Sequence, residues 1–373
     1  MEGKNVKNIA VIGASYLQLP LIEKAKDMGF TTHVFAWKAD DVGERAADYF
    51  YPISIVEKEA ILEKCREIGI CGICSIASDL AVITVDYVAA ALGLTGNTPE
   101  CTRNCTNKYY MRKALMGGGD PVPRMFSPEK DEKHGGNGIS YPVIVKPTDR
   151  SGSRGVTIVR NAGEFDAALT RALSESFEKK AVVEEYIEGD EYSLEGMSWM
   201  GRHRILAMTK KYTSGPPHFI ETGHMEPAPV DEDTRLRAEK TVIHALSTLG
   251  IRYGASHSEI KIRDDGSIWI IEIGARMGGD CIGSDLVPAS CGIDYVKAVI
   301  ETACGTEPDL TASREGTPAA VCYIMREEDE IRMNEFRRLH PEHFTKLVYL
   351  DRAMYGRTTD SSNRAGCYIY TPL

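Results

Sequence analysis

The residues best suited to chemistry fall in two stretches, and the first is YPVIVKPTDRSGSRGV, beginning at Tyr141. Its apolar run Val143, Ile144 and Val145 delivers Lys146 into a loop holding Gly152, Gly155 and the hydroxyls of Thr148, Ser151 and Ser153. The run predicts a short buried strand that Pro147 stops, and the glycines allow backbone N–H groups to approach phosphate oxygens with no Cβ in the way. Arg154 adds positive charge to the same loop. The pattern suits a polyphosphate grip, although a Lys-Pro followed by a Gly-rich turn reads, on its own, equally as an ordinary β-turn.

The second stretch, ASHSEIKIRDDGSIWIIEIGARMGG from Ala255, predicts a hairpin turning at Asp264, Asp265 and Gly266. Such a hairpin sets Glu259 and Glu272 side by side on one face. Glu272 stands in an otherwise apolar strand, where an unpaired charge is costly, so a shared cation is a better reading than a solvated edge pair. Hard divalent ions take oxygen ligands and complete their shell with phosphate and water, which makes magnesium, or manganese in its place, the expected metal. Arg276, four residues on, is placed to reach a transferring phosphoryl group, and the N–H groups of Gly278 and Gly279 are candidates for a substrate carboxylate.

The elements that must position these residues follow from periodicity. The first hundred residues alternate apolar strands (Ile9 to Ile12, Thr32 to Ala36, Ile70 to Ile76) with helical patterns (Leu19 to Met28, Lys58 to Ile68, Leu80 to Leu92), a βαβ succession that predicts a parallel sheet with helices on both faces. The turn GASYLQLP carries only Gly13 of the glycines that a dinucleotide fingerprint needs, so a nicotinamide site is not expected. Ser15 and Gln18 at that helix start are candidates for a substrate carboxylate, with plain capping as the alternative. A polar break, DEKHGGNGIS at 131–140, predicts a surface loop, and Ala162 to Phe177 an amphipathic helix. The apolar strand AVVEEYIEGDEYSLEG then runs into clustered carboxylates. In GPPHFIETGHMEPAPV the residues His218, Glu221 and His224 stand three apart, but the prolines oppose the helix that would align them on a metal.

Composition bounds the rest. A chain of 373 residues suggests two or three domains, and a formal charge of −10 argues against nucleic acid or an anionic membrane surface as the main partner. The start, MEGKNVKNIAVIGAS, shows no apolar signal segment, and the longest apolar stretch, Leu80 to Leu94, is too short to span a bilayer and contains Asp86. The expected compartment is the reducing cytoplasm. There the ten cysteines, including Cys71 with Cys74 and Cys101 with Cys105, are read as buried small hydrophobes rather than metal ligands.

The order Lys108, Lys146 with its glycine loop, EEYIEGDE, Glu259, Glu272 and Arg276 resembles the ATP-grasp superfamily, and within it the carboxylate-amine ligases related to amino-acid ligases and the carbamoyl-phosphate-synthase-like group. The resemblance implies an α/β and α+β architecture: a Rossmann-like pre-ATP-grasp domain at 1–106, an ATP-grasp domain of two α+β lobes at 107–305 with a lid lobe at about 112–190, and a small β-rich C-terminal lobe at 306–373 that completes the ATP-grasp fold. It implies ATP and magnesium as cofactors. Lys108 and Lys146 match the family lysines on the α- and β-phosphates, and Ser151, Gly152, Ser153 and Gly155 match the phosphate lid loop. Glu184, Glu185, Tyr186 and Ile187 match the hinge whose backbone meets adenine, so Glu184 and Ile187 are expected to tolerate substitution. Glu191 matches the ribose carboxylate, Glu259 and Glu272 the metal ligands, and Arg276 the arginine that steadies the γ-phosphate. Lys146 and Arg276 are thus the catalytic candidates.

One departure stands out: the family's third metal ligand, an asparagine, is here Gly274. The resemblance also implies a substrate-facing loop around Glu221 and His224, either of which is a candidate base for an incoming amine. The activity implied is ligation of a carboxylate to an amine through an acyl phosphate, releasing ADP and phosphate. A carboxyphosphate-forming carboxylase of the purine-precursor or biotin type and a non-catalytic nucleotide-binding regulator remain as alternatives. The expected partners are small-molecule carboxylates and amines, without nucleic acid or membrane, in a homodimer by default.

Overall fold

The structure, a computed structural model, describes residues 7–128, 139–215, 219–361 and 363–373. Three sheets account for the described strands. The first is parallel, in the order Tyr49–Tyr51, Phe30–Phe35, Lys7–Ile12, Gly72–Cys74. Ile9, Ala10, Val11 and Ile12 are all fully buried, as the central strand of a sheet covered on both faces must be. The helices Leu19–Asp27, Lys58–Ile68 and Asp79–Leu92 supply that cover close to where periodicity puts them. Tyr49–Tyr51 was not anticipated; it is a three-residue edge strand whose Tyr49 ring stacks on His33 at 4.9 Å.

The second sheet is antiparallel, ordered Met125–Phe126, Ala181–Glu185, Val143–Pro147, Thr157–Val159. The helix Ala162–Glu175 backs it, packing Phe165, Ala168 and Ala172 on Val143, Val145, Val159 and Val183. Alternation along the strand then turns Ile144 and Lys146 to the opposite face. Of the polar break at 131–140, only Ile139 and Ser140 fall within the described residues.

An eight-stranded antiparallel sheet forms the body, in the order Ile268–Gly274, Gly254–Ile262, Asp190–Trp199, Arg202–Thr213, Glu221–Glu226, Ala319–Ile324, Gly366–Tyr370, Phe344–Leu350. The last three strands follow residue 305, so the C-terminal segment extends this sheet. The helix Glu232–Thr248 seals one apolar face through Ala238, Val242, Ala245 and Leu246. Tyr295–Ala303 lies between the other face and the first sheet, and its Tyr295, Ala298 and Ile300 belong to a core shared by both. No helix among the described residues is long and apolar enough to cross a membrane.

Candidate active site

The cleft lies between the antiparallel lid sheet and the body sheet, and it measures about 1050 Å³ counting its open mouth. That is room for a nucleotide. Its lining changes character along its length. Ile144, Tyr186, Ile187, Phe219 and Ile271 make one wall apolar, and Lys108, Lys146, Arg150, Glu259, Glu272 and Arg276 supply charge. Tyr186 and Phe219 lie 6.2 Å apart, with the Lys261 ammonium 5.1 Å from the Tyr186 ring.

Lys146 comes from the lid strand and Lys108 from the first turn of the helix Lys108–Gly117, capped by Asn107. Lys146 Nζ is 2.7 Å from Glu184 Oε2, and Glu184 Oε1 accepts from Arg112 Nε at 2.9 Å. Register explains the contact: Ile144 pairs with Glu184 and Lys146 with Val182, so the two charges are diagonal neighbours. Burial works against ionising Glu184, but Arg112 and Lys146 outweigh it and pull its pKa down to about 2. Burial pushes the Lys146 pKa down, with Glu184 opposing. The expected tolerance of Glu184 to substitution does not fit this placement, because its side chain is 3% exposed and neutralises two cations. The hinge backbone is partly engaged as well, since Glu185 N–H donates to Arg124 O and Tyr186 N–H to Pro142 O.

Arg112 was missed by sequence reasoning. It stands four residues after Lys108 on one helix face, and its Nη1 and Nη2 donate to Ile270 O and Ile271 O of the hairpin. One guanidinium therefore ties the helix to both sheets.

Glu259 and Glu272 are register partners across the hairpin, with a bulge just after Glu259. Each faces a lysine: Glu272 Oε1 accepts from Lys108 Nζ at 2.7 Å, and Glu259 accepts a short bond from Lys211. Lys211 also approaches Glu191 at 3.3 Å and Glu221 at 3.7 Å. Burial opposes its charge, yet Glu259, Glu191 and Glu221 outweigh that and hold its pKa well above the usual lysine value. Two parallel carboxylates in a cleft with cationic surroundings fit a hard divalent ion that takes its remaining ligands from phosphate and water. Among the described residues no cluster of three or more His, Cys, Asp or Glu side chains offers a complete protein cage.

Gly274 has a structural reason. A Cβ built there would lie 2.9 Å from Asp79 Oδ1 and 3.3 Å from Arg276 Cζ. That room holds a bidentate ion pair, Arg276 Nε to Asp79 Oδ1 and Nη2 to Asp79 Oδ2, both at 2.8 Å. Asp79 opens the helix Asp79–Leu92, so the first sheet's unit reaches the arginine that lines the cleft. Burial disfavours the Arg276 charge and Asp79 more than restores it, raising the guanidinium pKa.

His257 was also missed, although the alternation His257, Glu259, Lys261 carries the signal for a polar strand face. It pairs with the fully buried Glu195, which overcomes the burial penalty and lifts the imidazole to about 9. Glu195 takes a further bond from Gly278 N–H at 2.9 Å, so that N–H is committed to protein and not to a substrate carboxylate.

In the loop Ser151 to Gly155, Gly152 and Gly155 adopt φ of +68° and +71°, and Ser151, Gly152 and Ser153 line the cleft. Glu191 and Glu221 line it too. His224 is buried, and His218 lies outside the described residues. Ser15 and Gln18 are absent from the lining: Gln18 Oε1 accepts from Ser15 Oγ at 2.7 Å and its Nε2 donates to Ile76 O at 2.7 Å, so both serve the turn. Cys74, Cys101 and Cys105 are buried as expected, whereas Cys71 is half-buried with its Sγ 4.0 Å from Cys304 Sγ.

This architecture has counterparts. Residues 139–285 match the family model described as ATP-grasp domain. Alanine–anticapsin ligase of Bacillus subtilis is 24% identical over 312 residues, covering 73% of this chain and 65% of the relative. The L-amino acid ligase from Bacillus licheniformis is 25% identical and superposes with a TM-score of 0.82 over 99% of this chain and 94% of its own. The N5-carboxyaminoimidazole synthetase from Staphylococcus aureus, solved with ADP, shares the fold at 16% identity and a TM-score of 0.77, covering 98% and 93%. The matched region spans 53% to 65% of the length of the first curated relatives. Residues 139–285 therefore carry an ATP-grasp domain. The chain is similar to proteins named as amino-acid ligases and, in fold, to the N5-carboxyaminoimidazole synthetase.

Proposed function

We propose that the protein is an ATP-dependent carboxylate-amine ligase that forms an amide or peptide bond through an acyl phosphate and releases ADP and phosphate. The observation that carries this reading is the convergence of Lys108, Lys146, Glu259, Glu272 and Arg276, drawn from four elements, on one cleft with an apolar end. A ring base suits the wall of Ile144, Tyr186 and Phe219, and the ribose lies toward Glu191. Lys108 and Lys146 then face the phosphates, and the Gly-rich loop closes over them.

Magnesium held by Glu259 and Glu272 would screen the charge of the triphosphate. A carboxylate oxygen of the donor attacks the γ-phosphorus, the bond to the β-bridging oxygen breaks, and ADP departs. Arg276 stabilises the charge on the transferred group, in an orientation set by Asp79. The amine then attacks the acyl carbon, loses a proton and expels phosphate. Glu221 lines the cleft and is better placed than the enclosed His224 to take that proton. Closure of the loop at 151–155 keeps water from the acyl phosphate. The chemistry needs no nucleophile from the protein.

The test is ADP and phosphate release with ATP and magnesium across a matrix of amino acids and other carboxylates. Lys146→Ala and Glu272→Ala each abolish release while circular dichroism stays unchanged; full activity in either variant removes that residue from the mechanism. Release driven by bicarbonate without any amino acid would replace the ligase with a carboxylase. Tight ATP binding without release in any mixture would leave a nucleotide-binding regulator.

A further inference from the structure

Next to the wall that Glu221 gives the cleft, the chain encloses polar groups that phosphate chemistry does not use. Arg364, just ahead of the strand Gly366–Tyr370, is 3% exposed. Its Nη2 donates to Asp280 Oδ1 at 2.6 Å, and the guanidinium lies 3.6 Å from the centroid of the Tyr323 ring. Its Nε and Nη1 have no hydrogen-bond partner among the described residues. Neither does Nδ1 of His224, which is 1% exposed and meets Tyr323 edge-on at 5.5 Å. Buried donors of a charged group are seldom left unpaired, because each has given up its hydrogen bonds to water.

The cluster is joined to the reacting end of the cleft. Asp280 follows Arg276 by four residues on the Gly278–Gly279 turn, Tyr323 Oη donates to Asp280 O at 2.9 Å, and Ser361 Oγ bonds Glu221. Asp280 is the more open partner of the pair, 24% exposed against 1% for the Arg364 side chain. Access to the guanidinium therefore passes Asp280.

We propose that Arg364 recognises a carboxylate of an amino-acid substrate, one other than the carboxylate being phosphorylated; this rests on the ligase reading of the cleft. A guanidinium that already has Asp280 as one partner keeps two donors for a monoanion, whereas a phosphate dianion would be repelled more strongly by Asp280. A zwitterion suits the place best, with its carboxylate on the spare Arg364 donors and its ammonium toward Asp280 and Glu221. The carboxylate belongs either to the α-position of an acceptor or to the side chain of a dicarboxylic donor.

Calorimetric binding to the full chain, with and without ADP and magnesium, uses L-alanine against L-alaninamide for the first source and L-glutamate against L-glutamine for the second. The acid of at least one pair is expected to bind roughly tenfold or more tightly than its amide, the effect of one charge-assisted hydrogen bond. Arg364→Met brings the ratio close to one and leaves ADP affinity unchanged; Arg364→Lys, which keeps the charge and safeguards folding, retains part of the preference. Failure of both acids to bind better than their amides, or a preference that survives in both variants, overturns the proposal. Binding is read apart from turnover, so ADP release without acid preference removes this role for Arg364 alone, and acid preference without ADP release removes the ligase alone.

Discussion

Glu184 shows how much one side chain can hold in this cleft. It is a buried anion between two buried cations, and removing one partner of such a set costs about 3–5 kcal/mol because the others are left uncompensated. Glu184→Gln is therefore expected to lower stability to urea by about that much, whereas Lys146→Ala leaves the Glu184 pair with Arg112 intact and costs less stability while losing turnover. Equal destabilisation by the two substitutions would contradict the arrangement. Glu226 gives a pH signature at the same scale. It accepts from Thr209 Oγ1 at 2.5 Å and Ser290 Oγ at 2.7 Å, and burial pushes its pKa up to about 8. The unfolded carboxyl ionises near ~4.3, so between that pH and about 8 the folded chain holds a proton that the unfolded chain has released. Stability from this group is full below the unfolded pKa, falls by up to ~1.4 kcal/mol per pH unit across the window, and is level above it. Glu226→Gln lacks the term. Its urea midpoint should gain on that of the native chain between pH 5 and pH 8, and a pH-independent difference would mean that Glu226 ionises normally.

At the scale of the element, the hairpin carries the unusual Gly274. Family pattern suggests that Gly274→Asn would restore a metal ligand, but the room beside this glycine is already taken by Asp79 and Arg276. The expected result is a loss of turnover of at least tenfold with ADP affinity nearly unchanged, as the ion pair is pushed out of line. Higher activity in the variant would show that a ligand had been missing after all. The hairpin also marks what the sequence makes legible. Alternation across Glu259 and Glu272 and the stop at Pro147 are local signals, and each element they define is present. Lys211, Arg112 and Asp79 could not be assigned the same way. Their partners lie on strands or helices that approach only through sheet order and crossover, as with Asp79 and Arg276, which are 197 residues apart. The N–H of Gly278, a candidate for a substrate carboxylate, is hidden for a related reason: it is taken by Glu195 from a strand 83 residues earlier.

Across the whole molecule, the first sheet's unit is bound to the body and does not merely precede it. Ile9, Ile12 and Ile73 share a core with Tyr295 and Ile300, and Lys24 pairs with Asp294 at 2.9 Å. This packing fixes the start of the helix Asp79–Leu92 beside Arg276, so the carboxylate of Asp79 holds Arg276 from a helix of the first sheet's unit. If Asp79 acts through Arg276 alone, Asp79→Asn should lower kcat far more than it changes the KM for ATP. The cycle with Arg276→Met then decides the matter, since residues acting as one unit are strongly non-additive. The double variant should be no slower than Arg276→Met alone, because the orienting carboxylate has nothing left to orient. Losses that multiply would instead mean that Asp79 meets substrate or metal in its own right, and the first sheet's unit would then contribute directly to the reaction and not only to the alignment of its arginine.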